Sequence, residues 1–273
     1  TVKTVEKIAA SAVHFLRQKV SALDAYTAET EKALARLSAF YLKEDHPLLR
    51  KRRTGERALI VLTGDKGLVG GLWHKIVNAV LENSGRYRLF ITVGAKGEGY
   101  LKEENAPSEK LFAGFSDAPE EEEIKSVMDY IFSEFKKGKF SRIDIAHPKF
   151  VSLTRQEPAF TPFLPFEFGL AAEAGSEEAG GGRAIGNGLP IFEPSKQELF
   201  DELLRKYIGV FFRKIIMETK LSEFSARTVA MERAASKTGE LIKKLKVGYA
   251  KERRRRITQG QLESFAAHKT LKR

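Results

Sequence analysis

Apolar residues recur at spacings of three and four, with occasional gaps of six or seven, along much of residues 195–273, and this stretch contains no proline. Such spacing is typical of a helix with one apolar face. A single helix of this length would reach roughly 110 Å. A lone helix cannot bury its own apolar stripe, so it must lie against another helix or inside a partner. Two or three shorter helices remain the alternative, because Gly209, Gly239, Gly248 and Gly260 each lower helix propensity.

The start of this helix is marked by Ser195 and Glu198, which directly follow Pro194. A serine followed three residues later by glutamate is the capping-box pattern, in which side chains satisfy backbone N–H groups of the first turn. The predicted apolar stripe then runs through Leu199, Leu203, Tyr207, Phe211, Ile215, Leu221, Phe224, Thr228, Met231, Ala235, Leu241 or Ile242, and Leu245.

The N-terminal segment has the same character, since residues 1–45 contain neither glycine nor proline. It predicts a helix of roughly 65 Å, closed by Pro47 and the basic run at residues 50–53. Two long terminal helices on either side of a compact middle most simply pair antiparallel. We therefore predict a two-stranded coiled coil formed by residues 1–50 and 195–273, in which the two apolar stripes cover each other.

The middle of the chain, residues 57–193, has the pattern of an α/β domain. Short apolar runs at residues 57–63, 89–93 and 141–147 predict buried strands. Helical patterns at residues 72–82 and 119–136 lie between them. Alternation of strands and helices predicts a Rossmann-like, mainly parallel sheet with helices on its faces. Residues 169–188, dominated by Gly, Ala and Glu, are predicted to be a flexible surface loop.

Charge is divided unevenly between these parts, although the whole chain carries a formal net charge of +11. Residues 195–273 contain 20 basic and 9 acidic side chains, residues 1–57 contain 12 and 7, and the rest contain 15 and 20. The densest basic patch comprises Lys251 and the four arginines at 253–256. Such a patch faces nucleic acid, anionic lipid or an acidic protein surface. Charge alone favours nucleic acid among these three.

The residues give little sign of catalytic chemistry. Gly64, Asp65, Gly67, Gly70 and Gly71 form a glycine-rich turn between a predicted strand and a predicted helix. The turn fits neither the G-x-G-x-x-G nor the Walker pattern, so tight strand-to-helix packing is favoured over nucleotide binding. The five histidines lack metal-ligand spacing, and the chain has no cysteine. We therefore predict no catalytic residue, no metal and no cofactor.

Two further features bear on the class of protein. No apolar run approaches the length needed to span a bilayer, which predicts a chain that is soluble or peripheral to a membrane. The chain does not begin with methionine, and no signal or transit peptide is recognisable. We expect that its natural N-terminal residues precede Thr1.

Several motifs, in a shared order, resemble those of the gamma subunit of F-type ATP synthases. Residues 62–71 (LTGDKGLVGG) are similar to the family signature T-S-D-[RK]-G-L-C-G-G. Residues 93–97 (VGAKG) match V-G-x-K-G, and residues 226–234 (ARTVAMERA) are close to A-R-M-x-A-M-x-x-A. Residues 149–152 with 156–158 and 164–165 resemble the strand pair of its middle domain, and residues 257–259 (ITQ) match its final-helix motif. The resemblance extends over nearly the whole chain.

This resemblance implies a non-catalytic rotor subunit of the central stalk, which couples ion translocation to rotary catalysis in a hexamer of alpha and beta subunits. The implied partners are alpha and beta in a 3:3:1 complex, the epsilon subunit and the c-ring, without nucleic acid. The family places beta-subunit contacts at positions matching Arg253, Arg254, Arg256, Thr258 and Gln259. Acidic beta-subunit loops would then replace nucleic acid as the partner of the basic helix.

The resemblance also implies packing roles for the signature residues Gly64, Asp65, Gly67, Gly70, Gly71, Ala226, Arg227 and Met231. Arg254 departs from the family's glutamine, and Gly260 and Gln261 depart from its Glu-Leu or Glu-Ile. The cysteine-bearing insert of chloroplast members is missing, which favours a bacterial enzyme at the cytoplasmic face of the plasma membrane. A diverged shaft of another ATPase assembly and a nucleic-acid-binding coiled-coil protein remain the alternatives.

Overall fold

The structure, a computed structural model, describes residues 2–38, 46–52, 54–167, 193 and 195–271, with side chains up to residue 264. Helix α1 spans Val2–Ser38 and helix α5 spans Lys196–Leu271. Helix α5 is thus 76 residues long, or about 114 Å. The prediction of one long C-terminal helix is confirmed, because its four glycines all lie inside the helix without interrupting it. The predicted loop at residues 169–188 lies outside the described residues.

The helix boundaries follow local capping. The Ser195 hydroxyl accepts the backbone N–H of Glu198 at 3.1 Å, as expected of an N-cap. Helix α1 is described as far as Ser38, so the last part of the predicted N-terminal helix lies outside the described residues. The carboxylate of Glu123 accepts the backbone N–H groups of Glu120 and Ser116, both at 2.7 Å. The acidic run at residues 120–123 therefore begins a helix with its own cap.

Between α1 and α5, the described residues of the α/β domain form five strands and three α-helices. Its elements in chain order are β1 (Glu56–Leu62), α2 (Leu72–Glu82), β2 (Leu89–Val93), α3 (Ala95–Glu103), β3 (Lys110–Phe112), α4 (Glu121–Lys136), β4 (Phe140–Phe150) and β5 (Gln156–Leu164). The strand order is β3-β2-β1-β4-β5. All neighbours are parallel except β4 and β5, which pair as an antiparallel hairpin. The predicted fold class is confirmed.

Each face of the sheet packs against helices. One face, with Ile60, Ile143 and Ile145, packs against α4 and the lower half of α5. The opposite face, with Leu59 and Val61, packs against α2 and α3. The lower half of α5 is therefore part of the core of the α/β domain, and the upper part extends beyond it.

Helices α1 and α5 pair antiparallel. Lys214 forms an ion pair with Asp24 at 2.6 Å. Further along α5, Leu221 and Phe224 share an apolar cluster with Ala9 and Leu16. Residue numbers in α1 fall as those in α5 rise, which confirms the predicted coiled coil for this part of the chain.

Candidate partner-binding surface

The upper part of α5 forms an exposed rod, which we call the tip and define as residues 236–264. Every side chain in this range is exposed, and the range spans about 43 Å. It contains nine basic and three acidic side chains. Large apolar side chains are exposed as well, including Leu245 at 71% and Tyr249 at 73%. An exposed surface that is both apolar and strongly charged is typical of a protein–protein contact.

The apolar positions of the tip continue the coiled-coil seam of the lower helix. Steps of four and three residues alternate through Met217, Leu221, Phe224, Thr228, Met231, Ala235, Thr238, Ile242, Leu245 and Tyr249. This is the heptad pattern of a coiled-coil contact line. The next positions in the same register are Glu252, Arg256 and Gln259. The seam therefore ends at Tyr249, and the helix beyond it has no apolar line for a second helix.

The contacts of α1 cover only the lower part of this seam. Phe224 packs against the α1 cluster, and Met231 is still buried, with 7% of its surface exposed. From residue 236 onward the seam is exposed. The prediction that the two stripes cover each other is therefore wrong for Leu241, Ile242 and Leu245, because described contacts with α1 do not extend that far along α5.

The five predicted contact residues all lie on the exposed tip beyond the seam. Consecutive residues of a helix are about 100° apart, so Arg254 and Arg256 lie about 160° apart around the axis. Arg256 is 3.7 Å from Glu252, whereas Arg253 and Arg254 form no ion pair with any described residue. The predicted cationic residues thus lie close together along the helix axis, and their side chains point in different directions around it.

The two polar residues of the predicted contact set bond within the helix. Thr258 donates its hydroxyl to the carbonyl of Arg254 at 3.0 Å. The side-chain amide of Gln259 donates to a carboxylate oxygen of Glu263 at 3.0 Å. Both side chains remain exposed, so their other hydrogen-bonding positions face solvent.

The glycine-rich turn after β1 packs directly against α5. A Cβ atom on Gly64 would lie 2.7 Å from the Trp73 ring and 2.8 Å from the Glu223 carboxylate. Gly70 has a φ of +60°, a conformation that favours glycine. At Gly67 a Cβ would come no closer than 3.9 Å to Lys96, and at Gly71 it would meet nothing within 4 Å. Close packing therefore explains Gly64 and leaves Gly67 and Gly71 without a steric reason.

Asp65 holds three loops of the α/β domain together. One carboxylate oxygen accepts the backbone N–H of Ala95 at 2.7 Å. The other accepts the N–H groups of Gly114 and Phe115, at 3.0 and 3.1 Å. The side chain satisfies backbone donors that would otherwise lack a protein partner, which gives it a structural role.

Arg227 joins α5 to the glycine-rich turn. Its guanidinium donates to the backbone carbonyl of Gly67 at 3.2 Å and to the carboxylate of Glu223 at 2.6 Å. Lys220 lies 3.6 Å from the same carboxylate. All three charged side chains are almost fully buried. Ala226 packs beside them against Val69, Leu72 and Trp73.

A basic groove of about 640 Å³ lies between the glycine-rich turn, the β4–β5 turn and α5. Its floor is formed by small apolar residues such as Val69, Ala226 and Ala230. The basic residues that line it are Lys75, Arg155, Arg233 and Lys237. No carboxylate lines this groove within the described part of the chain. The groove therefore extends the positive surface of the tip down to the α/β domain.

Sequence reasoning missed Glu223, Trp73 and the basic groove. Glu223 was detectable in principle, because it precedes Arg227 by one helical turn, the spacing of a helix ion pair. The groove residues come from separate segments, and no local pattern connects them. Among the residues described, no cluster of His, Asp or Glu is arranged to hold a metal ion. None of the described helices is both long and apolar enough to cross a membrane.

Comparisons with a family profile and with individual known sequences indicate the same family. The sequence profile of the family described as ATP synthase matches residues 1–267. The ATP synthase gamma chain of Trichormus variabilis is 30% identical over 249 residues, covering 83% of this chain and 79% of that protein. The ATP synthase gamma chain of a Polaromonas species is 28% identical over 270 residues, covering 97% and 91% respectively.

Comparison with solved structures supports the same fold. A chain from the central stalk and c-ring of the Tetrahymena thermophila mitochondrial ATP synthase superposes with a TM-score of 0.61 at 16% identity. The match covers 86% of this chain and 99% of that one. A chain from the Euglena gracilis mitochondrial ATP synthase superposes with a TM-score of 0.57 at 16% identity, covering 96% and 95%.

Proposed function

Because the chain belongs to the ATP synthase gamma chain family, we propose that it is the central-stalk rotor of an F-type ATP synthase. In this role it couples ion translocation through the membrane sector to rotary catalysis in a hexamer of alpha and beta subunits. The observation that carries the proposal is the exposed, basic single-helix tip, which projects beyond its coiled-coil partner and beyond the α/β domain. A rod of this kind needs a surrounding partner.

The proposed partners follow from the family and the charge of the tip. Alpha and beta subunits would surround the tip in a 3:3:1 complex, and the α/β domain would lie toward the epsilon subunit and the c-ring. The proposed beta-subunit contacts are Arg253, Arg254, Arg256, Thr258 and Gln259. Cations distributed around the helix present positive charge to acidic loops in every rotational position.

Coupling through such a shaft requires that its contacts differ in strength between the conformational states of a beta subunit. A beta subunit changes its conformational equilibrium only if the shaft contacts one of its states more favourably than another. The shaft itself then needs no active site, and we propose that the chain is non-catalytic. We further propose that it lies at the cytoplasmic face of a bacterial plasma membrane, bound through the complex.

Charge reversal at the tip tests this proposal. The variant R253E/R254E/R256E should reduce ATP-driven proton pumping by the reconstituted complex on the order of tenfold, because charge reversal replaces attraction to acidic loops by repulsion. Circular dichroism and the melting temperature of the α/β domain should be unchanged, since all three side chains are exposed.

The matched control is R86E/K96E/K125E, which makes the same change in charge at exposed positions of the α/β domain. This control should pump at the normal rate. Normal pumping by the tip variant would contradict the proposed contacts. Tight, salt-sensitive binding of the wild-type chain to nucleic acid, without assembly with alpha and beta, would instead favour the nucleic-acid alternative.

A further inference from the structure

Three side chains of α5 are hydrogen-bonded to the backbone of the α/β domain, and we call this set of contacts the joint. The Glu218 carboxylate accepts the Phe150 N–H at 3.1 Å. The Ser222 hydroxyl donates to the carbonyl of Pro148 at 2.8 Å. Arg227 donates to the carbonyl of Gly67 at 3.2 Å, as described above. The joint therefore connects the shaft to the carboxyl ends of β1 and β4.

The joint differs in kind from the apolar core below it. Ser222 is fully buried and Arg227 nearly so, so these hydrogen bonds are shielded from water and are strengthened by the low local dielectric. Hydrogen bonds are directional, whereas apolar contact is not. The glycine at position 64 allows the turn to approach the Glu223 carboxylate, which in turn holds Arg227. The joint thus fixes the rotational register of the α/β domain on the helix.

The position of the joint along the shaft gives it a mechanical consequence. Arg227 is its member nearest to the tip, about 14 Å of helix below residue 236. Ser222 lies about 21 Å and Glu218 about 27 Å below the same point. Among the hydrogen bonds of the joint, torque that enters at the tip therefore reaches that of Arg227 first.

We propose that Arg227 and Ser222 are positioning residues for torque transmission, which fix the rotational register of the α/β domain on the shaft and set the span of helix between the tip and the nearest hydrogen bond to the domain. The proposal rests on the proposed rotor function. For an elastic rod the twist under a given torque is proportional to its free length. Measured from residue 236 to the nearest remaining hydrogen bond of the joint, loss of the Arg227 contact lengthens this span about 1.6-fold, and loss of Arg227 and Ser222 together lengthens it about 2-fold.

The test uses the assembled complex with alpha and beta subunits. The chain contains no cysteine, so a single E103C substitution at an exposed position of α3 attaches a bead specifically to the α/β domain. The hexamer is fixed to a surface and stalled with bound ADP. The angular variance of the bead then reports the torsional compliance between hexamer and domain.

We expect the shaft's contribution to this variance to rise by up to about 1.6-fold in R227M and up to about 2-fold in R227M/S222A, following the span from residue 236 to the nearest remaining hydrogen bond of the joint. R227K should show the same increase as R227M, because it keeps a cation beside Glu223 and loses the guanidinium bond to Gly67. The control R233M changes an exposed arginine on the same helix and should leave the variance unchanged. Steady-state ATP hydrolysis without load should remain within about twofold in every variant, since the tip is unaltered.

The possible results distinguish a role in torque transmission from a role in fold stability alone, and they distinguish failure of this proposal from failure of the proposed rotor function. An assembled R227M or R227K complex with unchanged variance and reduced unfolding stability overturns the proposal, because the joint would then only stabilise the fold. If R227M does not assemble, R227K decides the question alone. Failure of the wild-type chain to assemble with alpha and beta, or to rotate the bead with ATP, overturns the proposed function itself.

Discussion

Individual carboxylates and histidines in this chain serve to hold loops and strands in place. Asp65 illustrates this, because its two oxygens accept three backbone N–H groups, one from the first residue of α3 and two from the loop after β3. A neutral amide at this position would direct an NH₂ group toward backbone donors. The signature aspartate is therefore explained by hydrogen bonding within the domain.

The variant D65N should reduce the free energy of unfolding by about 1–2 kcal/mol, because it weakens three hydrogen bonds to a charged acceptor at a site where water can replace part of the loss. Urea unfolding of the isolated chain measures this. The control D117N removes an exposed ion pair with Lys66, for which a loss of about 0–1 kcal/mol is expected. Equal stability of D65N and wild type would show that the three hydrogen bonds do not hold these loops.

His147 provides a pH-dependent contribution to stability. Burial in the sheet, aided by the charge of Lys149, lowers its pKa from 6.5 to about 4. Its Nε2 atom lies 3.0 Å from the Thr161 hydroxyl, and its Nδ1 atom has no partner among the described residues. The folded state therefore favours the neutral imidazole, whereas the unfolded state takes up a proton more readily.

Because the folded pKa is the lower one, the stability due to neutral His147 is fully present above about pH 6.5 and is lost as the pH falls toward 4. The difference corresponds to about 3 kcal/mol. Urea unfolding at several pH values in this window should show a shallower pH dependence for H147Q than for wild type. H14Q, which removes an exposed histidine of α1, should retain the wild-type slope. Parallel curves for H147Q and wild type would contradict this assignment.

At the scale of elements, the coiled-coil seam is covered along its lower part and open along its upper part. Leu221 is 2% exposed beside α1, whereas Leu245, which lies on the same seam three heptads and three residues further on, is 71% exposed. The same residue type on one seam therefore has different energetic roles. The difference comes from the reach of α1 and not from the local sequence.

L221A should reduce the free energy of unfolding of the isolated chain by about 2–5 kcal/mol, because it creates a cavity in a packed interface. L245A should change it by no more than about 0.5 kcal/mol, as for other exposed positions. Guanidinium unfolding of both variants provides the comparison. A large loss of stability in L245A would show that the upper seam is already covered in the isolated chain.

Elements with strong periodicity were predictable, and those set by tertiary contacts were not. Residues 72–82 were predicted as a helix and form α2 with the same bounds. Helix α3 was not predicted, because Gly97 and Gly99 lower the helix propensity of this segment. Gly97 in fact allows close packing, since its N–H donates to the Thr63 hydroxyl at 3.0 Å and a Cβ would lie 2.6 Å from that oxygen. Strand β3 has only three residues, too few for a pattern.

The candidate contact surface was predictable in its position and charge. Arg253, Arg254 and Arg256 were identified from composition and motif, and they lie on the exposed tip. The exposure of Leu241, Ile242 and Leu245 was not predicted, because sequence periodicity shows that a stripe exists and not which helix covers it. The basic groove was likewise unpredictable, since its residues meet only in the folded chain.

The whole molecule combines an α/β domain with a long helix that packs on one face of its sheet and extends beyond it. The lower half of α5 is built into the domain, the middle pairs with α1, and the tip is exposed. Positive charge is concentrated on the exposed end. Such a division suits a component that is held at one end and contacts a surrounding assembly at the other.

Assembly with the hexamer is the most direct test of the central claim. The chain is co-expressed with alpha and beta subunits from its own genome, and the product is weighed by native mass spectrometry. We predict a 3:3:1 complex with ATPase activity. A folded chain that remains apart from alpha and beta, while those two subunits associate without it, would contradict the proposed rotor function.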